Sequence, residues 1–160
     1  RMLPTRREDV VQACEASLRR MGRSSMELYQ IHFPNAWANE ARGTASELLL
    51  LGEHARTRLA RCLVAYWDGL GDCYERGLVQ AVGVSNYGAD AAHDTVHDAS
   101  MSVYEFASGA DAVEAVSTSL GRRGIPLYSN QIQYSLLYPF ANSNGLKRKC
   151  DQLGVKARAL

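Results

Sequence analysis

Hydrophobic and polar residues follow two spacings along this chain, one typical of helices and the other of strands. Apolar residues recur every three or four positions from residue 7 to residue 21, which predicts an amphipathic helix. Thr5 and Glu8 have the spacing of a capping box before this helix, and Gly22 is suited to end it. Similar patterns predict helices over 66–76, 112–120 and 143–153, and strands over 26–32, 79–84 and 125–133.

Alternation of helices with strands predicts a parallel sheet with helices packed outside it, so the expected fold class is α/β. Such folds gather their chemistry at the carboxyl ends of the strands. Polar residues occupy all three predicted strand ends, namely His32, Ser85 with Asn86, and Asn130 with Gln131. We therefore expect these side chains to contribute to a functional site.

Composition narrows the classes of partner. Lys and Arg number 18 against 17 Asp and Glu, so a net charge of +1 provides no general attraction to nucleic acid or to an anionic membrane. The longest aliphatic run, residues 48–51, is far below the ~18 residues that span a bilayer. The 4 cysteines are scattered without a C-x-x-C pair, which favours a reducing compartment. Neither a nucleic acid nor a membrane is expected as a partner.

Common phosphate and metal motifs are absent from the sequence, which has no G-x-G-x-x-G, P-loop or H-E-x-x-H. His93 and His97 have the spacing of a helical metal pair, but no other ligand cluster accompanies them. A solvated helix face is the preferred interpretation, and no metal site is expected. Gly69 and Gly71 lie inside a predicted helix, which favours a role in packing over phosphate contacts.

Four segments form a specific pattern when they are taken in chain order. They are LYQIHFP at 28–34, WDGLGDCYERGLV at 67–79, AVGVSNY at 81–87 and SNQIQYSLL at 129–137. Together they resemble the aldo-keto reductase family, and in particular its NADP-dependent oxidoreductases of the plastid and bacterial type. The resemblance implies one domain over 1–160 that forms a partial (β/α)8 TIM barrel, from about helix 3 to the start of strand 7.

The resemblance also implies an activity, the transfer of a hydride from NADPH to the carbonyl carbon of an aldehyde or ketone without a metal. Four family residues perform this chemistry: an Asp, a Tyr, a Lys and a His. His32 matches the histidine, which polarises and orients the carbonyl. The other three belong to family segments that precede Arg1, so we expect the isolated chain to be inactive. The alternative is a non-catalytic, barrel-derived protein that binds a nucleotide or acts as an auxiliary subunit.

Cofactor and substrate contacts are implied in the same way. Ser85, Asn86 and Gln131 match the family residues that hydrogen-bond the nicotinamide carboxamide, so NADP(H) is the implied cofactor. Phe33 and Trp37 follow the first strand end and could line an apolar substrate pocket, although core packing explains them equally well. The resemblance and the cysteine pattern place the protein in the cytoplasm or the plastid stroma, and they leave its oligomeric state open.

Two segments, 42–65 and 89–109, depart from the family pattern. The second lies between two copies of Gly-Ala-Asp-Ala, at 88–91 and 109–112. Incomplete removal of introns from a gene model would produce such segments, and real surface loops on the active-site face of a barrel would do so equally well. Real loops would lie beside the substrate entrance, where they could form a lid, and the capping-box spacing of Thr44 and Glu47 suggests that the first could be helical.

Overall fold

The computed structural model of the chain describes residues 6–32, 52–88, 110–137 and 139–159, with residues 52–63, 111 and 140 described by their backbone. Helices and strands alternate along these segments, as the sequence pattern predicted. In chain order they are α1 (Arg7–Met21), β1 (Tyr29–Ile31), α2 (Gly52–Glu75), β2 (Val82–Ser85), α3 (Ala110–Gly121), β3 (Leu127–Ile132), α4 (Phe140–Ser143), α5 (Leu146–Gln152) and β4 (Lys156–Ala159).

The strands form one parallel sheet in the order β1-β2-β3-β4. A helix joins β2 to β3 and β3 to β4, because the chain must return to the same end of the sheet before it can add a parallel strand. Strand order therefore follows chain order, as it does in consecutive βα units of a (β/α)8 barrel. The predicted α/β class is confirmed.

The two faces of the sheet differ in chemistry. Val82 and Val84 of β2 are fully buried in the core with the helices, and we call this side the apolar face. Gln30, Gly83 and Ser129 are paired across the strands on the other side, which we call the polar face. The Gln30 side-chain amide donates hydrogen bonds to Ser129 Oγ at 3.1 Å and to the Val84 oxygen at 3.2 Å. A Cβ on Gly83 would lie 2.7 Å from Ser129 Oγ, so glycine provides room for this layer.

The ends of α1 agree with the predicted helix, but its cap is shifted by one residue. The carboxylate of Asp9 accepts a hydrogen bond from the Arg6 N–H at 3.0 Å, so Asp9 has the role that was expected of Glu8. The buried apolar positions further along the helix fix this register, and Thr5 lies outside the described residues. Gly22 ends the helix with a φ of 64°, a left-handed conformation that glycine adopts at little cost.

Helix α2 is longer than the helix predicted over 66–76. It begins at Gly52, so residues 52–65 of the suspected first insert continue the helix. This part of the sequence is rich in Ala, Arg and Leu, which have high helix propensity, and the suggestion that the insert could be helical is confirmed for it. The remainder of the two suspected inserts, 42–51 and 89–109, lies outside the described residues.

Gly69 of α2 lies directly against α1. A Cβ at this position would be 2.6 Å from the Arg7 carbonyl oxygen and 2.7 Å from Val10 Cβ, so a hydrogen atom is all that fits. Gly71 lies in the same way against the guanidinium group of Arg123. The interpretation of both glycines as packing positions is confirmed.

A group of charged side chains joins α1, α2 and the turn after α3. The largely buried carboxylate of Asp72 accepts two hydrogen bonds from Arg7, each of 2.5 Å, and one from Arg123 at 2.7 Å. Arg123 also donates to both carboxylate oxygens of Glu75. The hydrogen bond from Arg7, aided by that from Arg123, lowers the pKa of Asp72 below its ordinary value.

The strands and the last helix are shorter than the sequence pattern predicted. Pairing before β1 is limited to a single bridge between Met26 and Val79, and the helix expected over 143–153 divides into α4 and α5 beside Gly145, which has a φ of 80°. Two residues expected at strand ends belong to the strands themselves: Ser85 is the last residue of β2, and Gln131 is the last but one of β3. The length of an apolar run overestimates the length of a strand, because the strand ends where the adjacent strand no longer offers a hydrogen-bond partner.

Candidate active site

The residues predicted to form a site from three separate strands converge at the carboxyl edge of the sheet. His32 directly follows β1, Ser85 is the last residue of β2, and Gln131 is paired with Ser85 in β3. Parallel strands in register bring these ends together, as expected. Asn86 follows Ser85 at the centre of this edge, because β2 lies between β1 and β3.

Asn86 hydrogen-bonds to both neighbouring strand segments. Its side-chain nitrogen donates to the His32 carbonyl oxygen at 3.2 Å and to Ser85 Oγ at 3.3 Å, while its main-chain N–H donates to the Gln131 carbonyl oxygen at 2.8 Å. Its φ of 60° is left-handed, and Asn tolerates this region better than most residues other than glycine. The left-handed turn therefore allows one residue to connect all three strand ends.

Ser85 is held within the sheet by its hydroxyl group. The side chain is buried, and its Oγ donates to the Gln131 carbonyl oxygen at 2.9 Å. The same carbonyl oxygen thus accepts hydrogen bonds from Ser85 and from the main chain of Asn86. These two bonds fix the end of β2 against β3.

A buried layer supports this turn from the apolar face. The fully buried Tyr87 follows Asn86, and its hydroxyl oxygen accepts a hydrogen bond from the Trp67 indole N–H at 3.1 Å. Its carbonyl oxygen accepts one from the Asn130 side chain at 2.8 Å. Burial raises the pKa of Tyr87, so this phenol is a neutral structural group. The Trp67–Tyr87 pair was not predicted, because the two residues lie 20 positions apart in the sequence.

His32 is exposed at the edge, whereas the supporting residues behind it are buried. An imidazole in this position is accessible to a small molecule placed over the strand ends. Phe33 and Trp37, the candidates for a substrate pocket, lie outside the described residues. Of the seven sequence-predicted site residues, the structure brings four together at this edge, namely His32, Ser85, Asn86 and Gln131. Asn130 is instead fully buried, because its side chain bonds the Tyr87 carbonyl oxygen behind the edge, so its expected part in the site is wrong.

Hydrogen-bonding capacity at the edge suits a primary amide. Within the described segments, the bonds of Asn86 use its two N–H groups and leave Oδ1 as an acceptor, and none involves the Gln131 side-chain amide. A carboxamide presents N–H donors and a carbonyl acceptor, so Asn86 Oδ1 and the Gln131 amide match it on both counts. The residues present thus fit the nicotinamide carboxamide that the sequence resemblance implies.

In the described part of the chain, no group of three or more His, Cys, Asp or Glu residues could hold a metal ion. His93 and His97 lie outside it. Over the same residues, no helix has the length and apolar character needed to cross a membrane.

Comparison with curated proteins relates the chain to plant reductases. It is 32% identical over 146 residues to the chloroplastic pyridoxal reductase of Arabidopsis thaliana, and the match covers 91% of this chain and 29% of that protein. It is 31% identical over 78 residues to the NADP-dependent D-sorbitol-6-phosphate dehydrogenase of Malus domestica, covering 49% of this chain and 25% of that protein. The chain thus spans less than a third of the length of these two relatives.

Solved structures and a family model agree with this relationship. An aldo-keto reductase of the silkworm Bombyx mori superposes with a TM-score of 0.61 at 19% identity over 98% of this chain and 35% of that one, and its complex with NADPH superposes with a TM-score of 0.56. These likenesses confirm the expected fold, part of a (β/α)8 barrel. The sequence model of the Aldo/keto reductase family matches residues 2–159. The chain therefore belongs to the aldo-keto reductase family.

Proposed function

We propose that this chain provides the histidine and the nicotinamide-binding residues of an NADP(H)-dependent reductase that acts on an aldehyde or ketone. The observation that supports this proposal best is the hydrogen bonding of Asn86, which joins the strand ends of His32, Ser85 and Gln131 at one edge. The NADPH complex of the silkworm reductase and the NADP-dependent apple enzyme support the choice of cofactor.

Three residues at the edge have distinct parts in this proposal, and Ser85 holds the end of β2 in place behind them. Asn86 Oδ1 accepts a hydrogen bond from the carboxamide N–H of the nicotinamide, and the Gln131 amide donates to the carboxamide oxygen. These bonds fix the orientation of the ring, and orientation contributes much of the rate in such a reaction. Bound NADPH supplies the hydride that the carbonyl carbon receives. His32 hydrogen-bonds the carbonyl oxygen, where negative charge develops.

Turnover also needs a proton for the oxygen of the product alcohol. The family uses a tyrosine beside a lysine for this step, and the segments of this chain that match the family pattern do not include that pair. General acid catalysis typically contributes ~10²–10⁴-fold, so we expect no measurable reduction by this chain alone. The same observation favours a second candidate, in which the chain binds a nucleotide or a protein partner without catalysis.

Titration of the purified 160-residue chain with NADPH tests the cofactor proposal, with the fluorescence of the reduced nicotinamide as readout. We expect saturable binding that Gln131→Ala weakens about tenfold or more, since a ligand group then lacks its partner. Gln133→Ala, an exposed glutamine two residues further on, is the matched control and should bind as wild type does. No saturable binding, or equal weakening in both variants, would contradict the proposal.

Turnover assays test the expected inactivity of the isolated chain. Neither wild type nor His32→Gln should oxidise NADPH in the presence of a panel of aldehydes and ketones. Oxidation that depends on His32 would show that the chain is an active reductase on its own and would overturn the expected inactivity.

The buried, disulfide-free thiols of Cys14, Cys73 and Cys150 support a reducing compartment, such as the cytoplasm or the plastid stroma.

A further inference from the structure

The polar face holds a second group of side chains, nearer the amino ends of the strands. Lys156 of β4 donates a hydrogen bond to the Tyr128 hydroxyl oxygen at 2.8 Å, and its ammonium nitrogen lies 4.4 Å from the centre of that ring. Lys156 is paired with Ser129 across the sheet, and Arg158 is paired with Gln131. Alternation along β4 therefore places Lys156 and Arg158 on the same face, about 7 Å apart along the strand.

A strand irregularity brings Tyr128 of β3 into this group. Val82 is paired with Leu127 whereas Gly83 is paired with Ser129, so Tyr128 is an extra residue in the ladder. Such a bulge lets the Tyr128 side chain turn towards Lys156 while Ser129 keeps its place beside Gln30. No strand was predicted over 155–159, although the alternation Val-Lys-Ala-Arg-Ala is typical of a strand with one polar face.

Hydrogen-bond donors predominate in this group. The lysine has further N–H groups beyond the one that it gives to Tyr128, and the phenol keeps its own O–H because its oxygen acts as the acceptor. Ser129, which is fully buried and accepts a hydrogen bond from Gln30, lies behind this group and packs beneath it. Arg158 adds a planar guanidinium with five N–H groups.

Positive charge is not neutralised within this group. In the described part of the chain, neither Lys156 nor Arg158 forms an ion pair with a carboxylate, whereas Arg7 and Arg123 on the helical side each do. The hydrogen bond from Lys156, aided by the charges of Lys156 and Arg158, lowers the pKa of Tyr128. These charges and donors favour the binding of an anion.

We propose that the exposed side chains of Tyr128, Lys156 and Arg158 form an oxyanion-binding site that takes a phosphate group. A phosphate has several acceptor oxygens and negative charge, which match the donors and the two cations at once. The Ser129–Lys156 layer lies one step, about 7 Å, from the Gln131–Arg158 layer towards the amino ends. The site therefore adjoins the carboxamide-binding edge at Arg158 and extends from it towards the amino ends of the strands, and its phosphate binding can be tested without NADP(H).

Titration of the purified 160-residue chain with inorganic phosphate tests the site, at constant ionic strength maintained with sodium chloride and without NADPH. Calorimetry should show binding by wild type that falls about tenfold or more in Lys156→Gln and in Arg158→Gln, because each loses a charged hydrogen bond. Tyr128→Phe should lose about threefold, as expected for one neutral donor. Lys156→Arg retains the charge and should still bind.

Arg148→Gln is the matched control, since Arg148 is an exposed arginine of α5 away from this face. Circular dichroism of each variant checks that it folds. Absence of phosphate binding in wild type, or equal weakening by Arg148→Gln, would overturn the proposal.

A parallel titration with glycerol 3-phosphate distinguishes the source of the phosphate. Tighter binding of the ester indicates an organic phosphate ligand, and equal binding indicates the free ion, and both support the site.

Because no NADPH is present, these results are independent of the proposed reductase function. Phosphate binding without NADPH binding would leave the oxyanion site standing and remove the cofactor proposal. NADPH binding that survives Lys156→Gln, together with no phosphate binding by wild type, would remove the oxyanion site alone.

Discussion

The side-chain nitrogen of Asn86 lies 3.2 Å from the carbonyl oxygen of His32, and its main-chain nitrogen lies 2.8 Å from the carbonyl oxygen of Gln131. One residue of β2's carboxyl end is thus bonded to both neighbouring strand segments. A backbone φ of 60° is needed for this arrangement. The geometry of the candidate site consequently depends on a residue that combines a side-chain amide with tolerance of the left-handed region.

Two substitutions separate these requirements of Asn86. Asn86→Gly keeps the left-handed backbone but removes the hydrogen bonds to His32 and Ser85, and should lower the free energy of unfolding by about 1 kcal/mol. Asn86→Ala adds the cost of a left-handed Cβ, for a total of about 2 kcal/mol. Urea unfolding measures both, with Asn142→Ala at an exposed position as control. Equal stability of Asn86→Gly and wild type would mean that these bonds add nothing to the fold.

The sequence predicted the convergence of the site because it depends on topology alone. Alternating helices and strands require a parallel sheet, and a parallel sheet brings His32, Ser85 and Gln131 to one edge. Family resemblance then gave these positions a chemistry. The expected contact of Asn86 with a cofactor is still a proposal, and its position between β1 and β3 is a finding of the structure.

Other features could not be predicted because they depend on contacts distant in sequence. The hydrogen bond between Trp67 and Tyr87 and the contact between Lys156 and Tyr128 each join residues 20 or more positions apart. Helix α2 was underestimated because a family comparison treated residues 42–65 as an insertion, although local propensity continues the helix from Gly52.

Close packing of α1 on α2 predicts opposite effects for two glycine substitutions. Gly69→Ala places a methyl group 2.6 Å from the Arg7 carbonyl oxygen, which is backbone and cannot move aside. We expect it to lower the free energy of unfolding by about 2 kcal/mol. Gly121→Ala, at the end of α3, meets no atom within 4 Å and should stabilise the chain by up to about 1 kcal/mol. Thermal and urea unfolding measure both.

A change in the free energy of unfolding with the same sign in both glycine variants would contradict this account of the interface between α1 and α2. If Gly69→Ala were stabilising, the helices would have to separate without loss, and the close approach of α1 to α2 would not limit the residue at 69. Gly121→Ala serves as the propensity control, because it makes the same chemical change in a helix without the contact.

The charge cluster around Asp72 predicts a loss of stability in acid. The folded-state pKa of Asp72 lies below its unfolded value of about 3.9, so its contribution is present above that pH and is lost as the pH falls through the lower folded pKa. Asp72→Asn should lower the free energy of unfolding by about 2 kcal/mol at pH 7, since it removes charged hydrogen bonds to Arg7 and Arg123. The variant should differ less from wild type below pH ~3.

Urea unfolding at several pH values between about 7 and 3 measures this difference. Asp151→Asn is the control, because Asp151 pairs with Lys147 on the surface of α5 and such exposed pairs contribute less than about 1 kcal/mol. A difference between Asp72→Asn and wild type that stays constant down to the lowest pH would show that the carboxylate is not the source of the stability.

The buried pair of Trp67 and Tyr87 predicts a measurable coupling behind the site. Tyr87→Phe leaves the Trp67 indole N–H buried without its acceptor, and should lower the free energy of unfolding by about 1–3 kcal/mol. Tyr74→Phe removes a phenol with no protein hydrogen bond in the described part of the chain and should cost less than about 0.5 kcal/mol.

A double-mutant cycle of Trp67→Phe and Tyr87→Phe isolates the hydrogen bond from the change in packing. Because Trp67→Phe removes the donor, the second substitution should then cost about 1 kcal/mol less than it does alone. Additive effects would mean that packing accounts for the loss. Tyr87 directly follows Asn86 in the chain, so the same variants test whether the core supports the site. If the hydrogen bond from Trp67 to Tyr87 holds the turn at Asn86, NADPH binding should weaken in Tyr87→Phe and not in Tyr74→Phe. Wild-type binding by Tyr87→Phe would confine the pair to a role in stability.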